Sequence, residues 1–108
     1  MNNQYKKGVL ELCVLSLLRK RDCYGYELSE YLSNQIEIAD GTVYPILRKL
    51  KSDGLLTTYL QEESGGPPRK YYSLTALGHD SYEKDKAEYL GFARTIDKIL
   101  EDDDNDKE

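Results

Sequence analysis

Residues 65–68 read Gly-Gly-Pro-Pro. Glycine loosens a backbone and proline fixes it while removing a hydrogen-bond donor, so no helix or central strand continues through such a run. It predicts a tight, projecting loop. LLTTYLQE, residues 55–62, precedes it, and RKYYSLT, residues 69–75, follows it. Both segments are rich in β-branched and aromatic residues, so they are expected to be antiparallel strands joined by the loop, forming a small wing.

Upstream the period changes from two to 3.6. Leu10, Cys13, Val14, Leu17 and Leu18 fall at i, i+3, i+4, i+7 and i+8 between Lys7 and Arg19, the pattern of a helix with a buried face. Val9, Leu12 and Leu15 widen that stripe, which suggests cover from a second subunit as well. A shorter helix is expected from about Tyr24 to Asn34, with Leu28, Tyr31 and Leu32 inward. Asp40 suits an N-cap, and DGTVYPILRKLKSDG then reads as a third helix. Val43, Ile46, Leu47 and Leu50 share one side, while Tyr44, Pro45, Arg48, Lys49 and Ser52 project from the other. Pro45 is tolerated near the first turn, and Gly54 supplies the stop.

A helical pattern resumes from about Ala76. Tyr89, Phe92, Ile96 and Ile99, with Ala93 and Leu100 alongside, form a narrow heptad-like seam. A single chain would leave that seam bare, so a homodimer is expected, with Leu10 and Val14 of the first helix also assigned to the interface. The fold class is therefore mainly α with a small β-hairpin: a winged helix-turn-helix domain over 1–78, a C-terminal dimerisation helix over 79–101, and a disordered acidic tail, EDDDNDKE, over 102–108.

The totals bound what this fold does. At 108 residues with 39% hydrophobic residues the chain is one domain. No apolar run is long enough for a membrane span and no signal-peptide pattern is present, which points to a cytoplasmic protein. Cys13 and Cys23 with the single His79 make no zinc set and are expected to be reduced, packed thiols and a capping or surface imidazole. Ten tyrosines and no tryptophan suggest an aromatic-rich interior. The run at 65–70 lacks the GK[ST] ending of a phosphate loop, and no nucleophile, cofactor motif or acid–base pair is specified, so an enzyme is the weakest reading.

A net charge of −5 argues at first against nucleic acid. Its distribution does not. Residues 41–72 carry five basic and three acidic side chains, whereas 80–108 carry five and eleven. The positive middle third is the third helix and the wing, the two parts of a winged helix that face a DNA duplex. Arg48 and Lys49 suit phosphate or guanine, Thr42 a phosphate, Tyr44 either, and Arg69 and Lys70 a neighbouring backbone or minor groove. The rival reading is a winged-helix module that docks another protein through the same face.

YGYEL at 24–28, GTVYPILRKLKSDGLL at 41–56 and GGPPRKYYSLTALG at 65–78 together resemble the PadR family of transcriptional regulators, in its short form with one C-terminal helix. The resemblance covers nearly the whole chain in order. It implies a homodimeric winged-helix repressor of a palindromic operator, without a cofactor, and released in many members by a small effector. It places Thr42, Tyr44, Pro45, Arg48 and Lys49 on the recognition helix and Gly66, Arg69 and Lys70 on the wing. It also implies a site for a small aromatic effector at the dimer interface. Members that bind multiple drugs stack them on a tryptophan of the last helix; here Phe92 and Tyr89 are the aromatic residues available.

Overall fold

The computed structural model describes residues 3–62 and 65–105. In chain order the elements are α1 (Asn3–Lys20), β1 (Cys23–Tyr24), α2 (Gly25–Gln35), α3 (Val43–Ser52), β2 (Leu56–Gln61), β3 (Arg69–Leu74) and α4 (Ala76–Asn105). The strands form one antiparallel sheet of order β1-β3-β2, so the hairpin expected from the sequence is present as β2 and β3 and gains a third strand at its base. The extra strand is only two residues long, with Cys23 opposite Tyr72 and Tyr24 opposite Tyr71. Across the hairpin Leu56 faces Leu74 and Gln61 faces Arg69, and Gly65 turns the tip with φ 78°, a value open to few residues except glycine.

Apolar side chains from every layer meet in one core. Val14 and Leu15 of α1, Leu28 of α2, and Val43, Ile46, Leu47 and Leu50 of α3 are the most enclosed, and Leu56, Tyr72 and Tyr82 close it from the sheet and α4. Each such aliphatic side chain stabilises the fold by about 1.5–3 kcal/mol through removal from water. Leu10 and Val14 belong to this core, at 3% and 0% exposure. They are thus corrected from interface residues to core residues, since the chain's own α3, α4 and β3 pack against the helix that carries them. Tyr31, expected inward, is 49% exposed, because the inner face of α2 is filled by Leu28 and Leu32.

The tyrosines also depart from expectation. Tyr72 and Tyr82 are buried, but Tyr26, Tyr31, Tyr44, Tyr59 and Tyr89 are exposed, so most of the described phenols lie on the surface. Cys23 is buried and Cys13 half-buried, and both are free thiols whose pKa burial pushes up. The third helix begins later than its Asp40 signal. Thr42 is the N-cap residue and Val43 the first helical one. Gly54 ends the segment with φ 81°, where its N–H bonds the Lys51 carbonyl at 3.0 Å.

Helix α4 is anchored at its start and free farther on. The Thr75 hydroxyl accepts the Gly78 N–H at 3.0 Å and bonds the Gly54 carbonyl at 2.8 Å, which caps the helix and ties it to the turn before β2. Gly78 packs so closely on the Leu55 carbonyl that a Cβ there would overlap it. Tyr82 fills the α1–α4 contact, with the Arg19 guanidinium carbon 5.4 Å from its ring centre. The helix starts inside the segment assigned to the winged domain and runs on through 102–105, where the sequence reading places the tail; residues 106–108 of that tail lie outside the described residues. Its 30 residues span about 45 Å, which accounts for much of the molecule's longest dimension of 67 Å.

Substituting Gly78→Ala drives a methyl group into backbone that cannot swing aside. A loss of about 1–3 kcal/mol is expected, read as a lower urea midpoint at unchanged slope; an unchanged midpoint contradicts this packing.

Candidate nucleic-acid interface

The buried side of α3 dictates what its other side presents. Val43, Ile46, Leu47 and Leu50 are locked in the core, so Tyr44, Pro45 and Arg48 are turned to solvent. Pro45 is the third helical residue, where its missing N–H would have had no intrahelical partner. The Thr42 hydroxyl donates to the Ala39 carbonyl at 2.7 Å, so this side chain closes the entry turn and offers a ligand only its lone pairs.

Pairing of β1 with β3 draws the start of α2 onto the base of the wing. Tyr24, Gly25, Tyr26, Tyr44, Arg48, Arg69, Lys70 and Tyr72 consequently line one open cleft of about 410 Å³ between α3 and the wing. Gly25 is what lets the two helices close up: a Cβ on it would stand 3.0 Å from Cε1 of Tyr44 and 3.7 Å from Cδ1 of Leu47. That contact holds the Tyr44 ring, 38% exposed, at the lip of the cleft. Tyr26 stands beside it and donates its hydroxyl to Glu30 at 3.0 Å.

The electrostatics of the cations divide into two groups. Arg48, Arg69 and Lys70 engage in no ion pair among the described residues, and all three line the cleft. Arg69 lies over the Tyr24 ring, its guanidinium carbon 4.6 Å from the ring centre. Lys49, by contrast, is held by Asp53 at 3.2 Å and by Glu11 of α1 at 3.5 Å. The hydrogen bond to Asp53 and the charge of Glu11 raise its pKa above the ordinary lysine value. Lys49 lines a different cleft, of about 470 Å³, between α1, α3 and α4. One helical step separates it from Arg48, and that step turns it away from the wing.

Of the eight residues singled out in the sequence, Tyr44, Arg48, Arg69 and Lys70 are therefore brought together. Thr42 and Pro45 line a third, mainly apolar cleft of about 430 Å³ beside Leu10 and Ile46, at the entry to α3. Gly66 is exposed at the wing tip with open space around it. Sequence reasoning gave no DNA-binding role to Tyr24, Gly25 and Tyr26. Their signal was present in the YGYEL segment, where a glycine sits between two aromatic residues at a helix start.

The other candidate surface is the second half of α4. Phe92, Ile99 and Leu100 are 58%, 51% and 57% exposed and Tyr89 36%, with Ala93 and Ile96 half-buried between them. They form a continuous apolar stripe along one side of a helix that extends beyond the core. Tyr89 also borders the 470 Å³ cleft, alongside Glu11, Asp85 and Glu88.

Comparison with known proteins converges on one family. Residues 14–84 match the model of the transcriptional regulator PadR-like family. The fold superimposes on the Streptococcus mutans protein smu.1704 with a TM-score of 0.81 at 38% identity, over 88% of this chain and 89% of that one. A PadR-like transcriptional regulator of Bacillus cereus gives a TM-score of 0.81 at 34% identity, over 91% of this chain and 97% of that one. The chain is also 30% identical to the negative transcriptional regulator PadR of Bacillus subtilis over 65% of its own length and 41% of that protein's. A mainly α winged helix with three cations around the cleft between α3 and the wing is thus accompanied by a match over most of the sequence: the chain belongs to the PadR-like family of transcriptional regulators.

Proposed function

We propose that the protein is a homodimeric repressor that binds a palindromic DNA operator through α3 and the wing of each subunit. The observation that carries this reading is the gathering of Arg48, Arg69 and Lys70 around one cleft, with no ion pair among the described residues, in a chain of net charge −5. Three cations converging on one cleft in an anionic chain are arranged for a polyanion. Tyr44 and Arg48 reach into the major groove, with Arg48 able to meet guanine or phosphate, while Arg69 and Lys70 grip the flanking backbone. Repression is supported by the similarity to a negative regulator, of which this chain spans 41%. A protein acting on DNA in this way works in the cytoplasm, and it needs no cofactor.

The exposed stripe of α4 supplies the dimer. Two such stripes packed together place two recognition helices about 34 Å apart, one turn of DNA, as a palindrome requires. A small aromatic molecule bound between the subunits, against Tyr89 or Phe92, changes that spacing and so releases the DNA. A coupling of about 1–3 kcal/mol alters operator affinity by roughly 5- to 150-fold.

Binding to duplex DNA should weaken steeply with salt. Arg48→Ala, Arg69→Ala and Lys70→Ala should each weaken it further and flatten the plot of log K against log salt by about 0.9 per lost phosphate contact. Lys49→Ala should leave affinity and slope nearly unchanged, because Glu11 and Asp53 already occupy that ammonium. A flat salt response of the unaltered protein supports the protein-docking module instead.

The double variant Phe92→Glu/Ile96→Glu places four carboxylates in the paired stripe. Analytical ultracentrifugation should show it at the 12.4 kDa mass of one chain, with a loss of about 10²-fold or more in operator affinity as the two half-sites become independent. A dimer of unchanged stability rules out the stripe as the interface.

A further inference from the structure

The face of the sheet turned away from the core carries a row of phenol rings. Tyr24, Tyr71 and Tyr59 are direct partners across β1, β3 and β2, so all three side chains leave the same face, opposite the one that buries Cys23 and Tyr72. Tyr59 and Tyr71 stack with centres 5.7 Å apart and 14° between planes, and Tyr71 meets Tyr24 edge-on at 5.5 Å. Both ends of the row are tied. At one end the Tyr59 hydroxyl donates to Asp22 at 2.7 Å; at the other the Arg69 guanidinium rests 4.6 Å over Tyr24.

Surface position makes this arrangement hard to explain as core packing. Tyr59 is 40% exposed, and the rings contribute little to the enclosed interior. Their effect falls on Arg69. A free arginine loses rotamer freedom when it engages a ligand, and that loss subtracts from affinity. A guanidinium already resting on a ring face is partly ordered beforehand, and its N–H groups remain available at the ring's edge.

We propose that the Tyr24–Tyr71–Tyr59 row is a positioning device for Arg69, holding its guanidinium at the mouth of the cleft opposite Arg48, so that wing and recognition helix close on one phosphodiester from two sides. This rests on the DNA-binding reading above. The tyrosines are positioning residues, and Arg69 is the group that meets the phosphate.

The test is a double-mutant cycle measured with a duplex that the protein itself enriches from a random-sequence pool. Tyr24→Leu should lower affinity about 2- to 5-fold, the worth of an exposed cation–π contact, and should flatten the salt dependence as Arg69→Ala does. In an Arg69→Ala background it should cost nothing further, and Tyr24→Phe, which keeps the ring, should bind like the unaltered protein. Equal losses in both backgrounds overturn the proposal. Should Tyr24→Leu fail to fold by circular dichroism, Tyr59→Leu at the exposed far end takes its place: a smaller loss that vanishes without Arg69 supports the row, and an independent loss or none overturns it. If Arg48→Ala weakens binding and Arg69→Ala does not, the positioning role falls and the DNA reading stands. If neither substitution matters, the DNA reading itself falls.

Discussion

Two residues of backbone pairing organise this molecule. Cys23 and Tyr24 lie antiparallel to Tyr72 and Tyr71, and β3 thereby becomes the central strand, bonded on both sides. This fastens the first turn of α2 to the base of the wing. Tyr24 is at once the last residue of β1 and the N-cap of α2, with its N–H bonded to Glu27 at 3.0 Å, and Glu27 is in turn held by Arg21 at 3.3 Å. From that junction the remaining geometry follows. Gly25 lets the α3 side chain Tyr44 approach, and Arg69 and Lys70 leave β3 beside Arg48. Leu56 and Tyr72 anchor the hairpin in the core, and β1 adds the backbone link that ties its base to the start of α2 beside α3.

Charge is sorted on the same scaffold. The chain has 20 acidic and 15 basic side chains, yet among the described residues two cations are held in ion pairs. Arg21 is paired with Glu27, and Lys49 with Glu11 and Asp53. Because these pairs are solvent-exposed, each contributes little to stability, at most about 1 kcal/mol; their consequence is that Lys49 is engaged away from the cleft that Arg48, Arg69 and Lys70 line. Lys49 links α3 to α1, whose neighbour α4 bears the apolar stripe.

Local signals in the sequence were sufficient for much of this. The apolar period of α3, the Gly-Pro run at the wing tip and the glycine stop at 54 each encode a structure within a few residues, and each element lies close to where the pattern puts it. Strand β1 was not legible, since two residues show no periodicity and become a strand only through a partner far along the chain. The same reason governs Lys49. Helical spacing shows that it leaves the core, yet the carboxylate of Glu11 comes from another helix, and no spacing within α3 reveals it. Leu10 and Val14 illustrate a related limit: a period of 3.6 says that a face is covered and leaves open whether the cover is the same chain or another. The tyrosines misled for a different reason, since their rings are apolar enough to suggest a core while their hydroxyls allow them to stay at the surface.

The claim on which the functional account turns is that the cleft between α3 and the wing, and not the acid-rich side between α1 and α4, receives DNA. Amide chemical shifts followed by NMR during titration with duplex DNA test it most directly. The account predicts that Gly25, Tyr26, Tyr44, Arg48, Arg69 and Lys70 shift together and saturate together, with Glu11, Lys49, Asp85 and Glu88 changing little. Shifts concentrated on the second set, with the cleft residues unmoved, would contradict it.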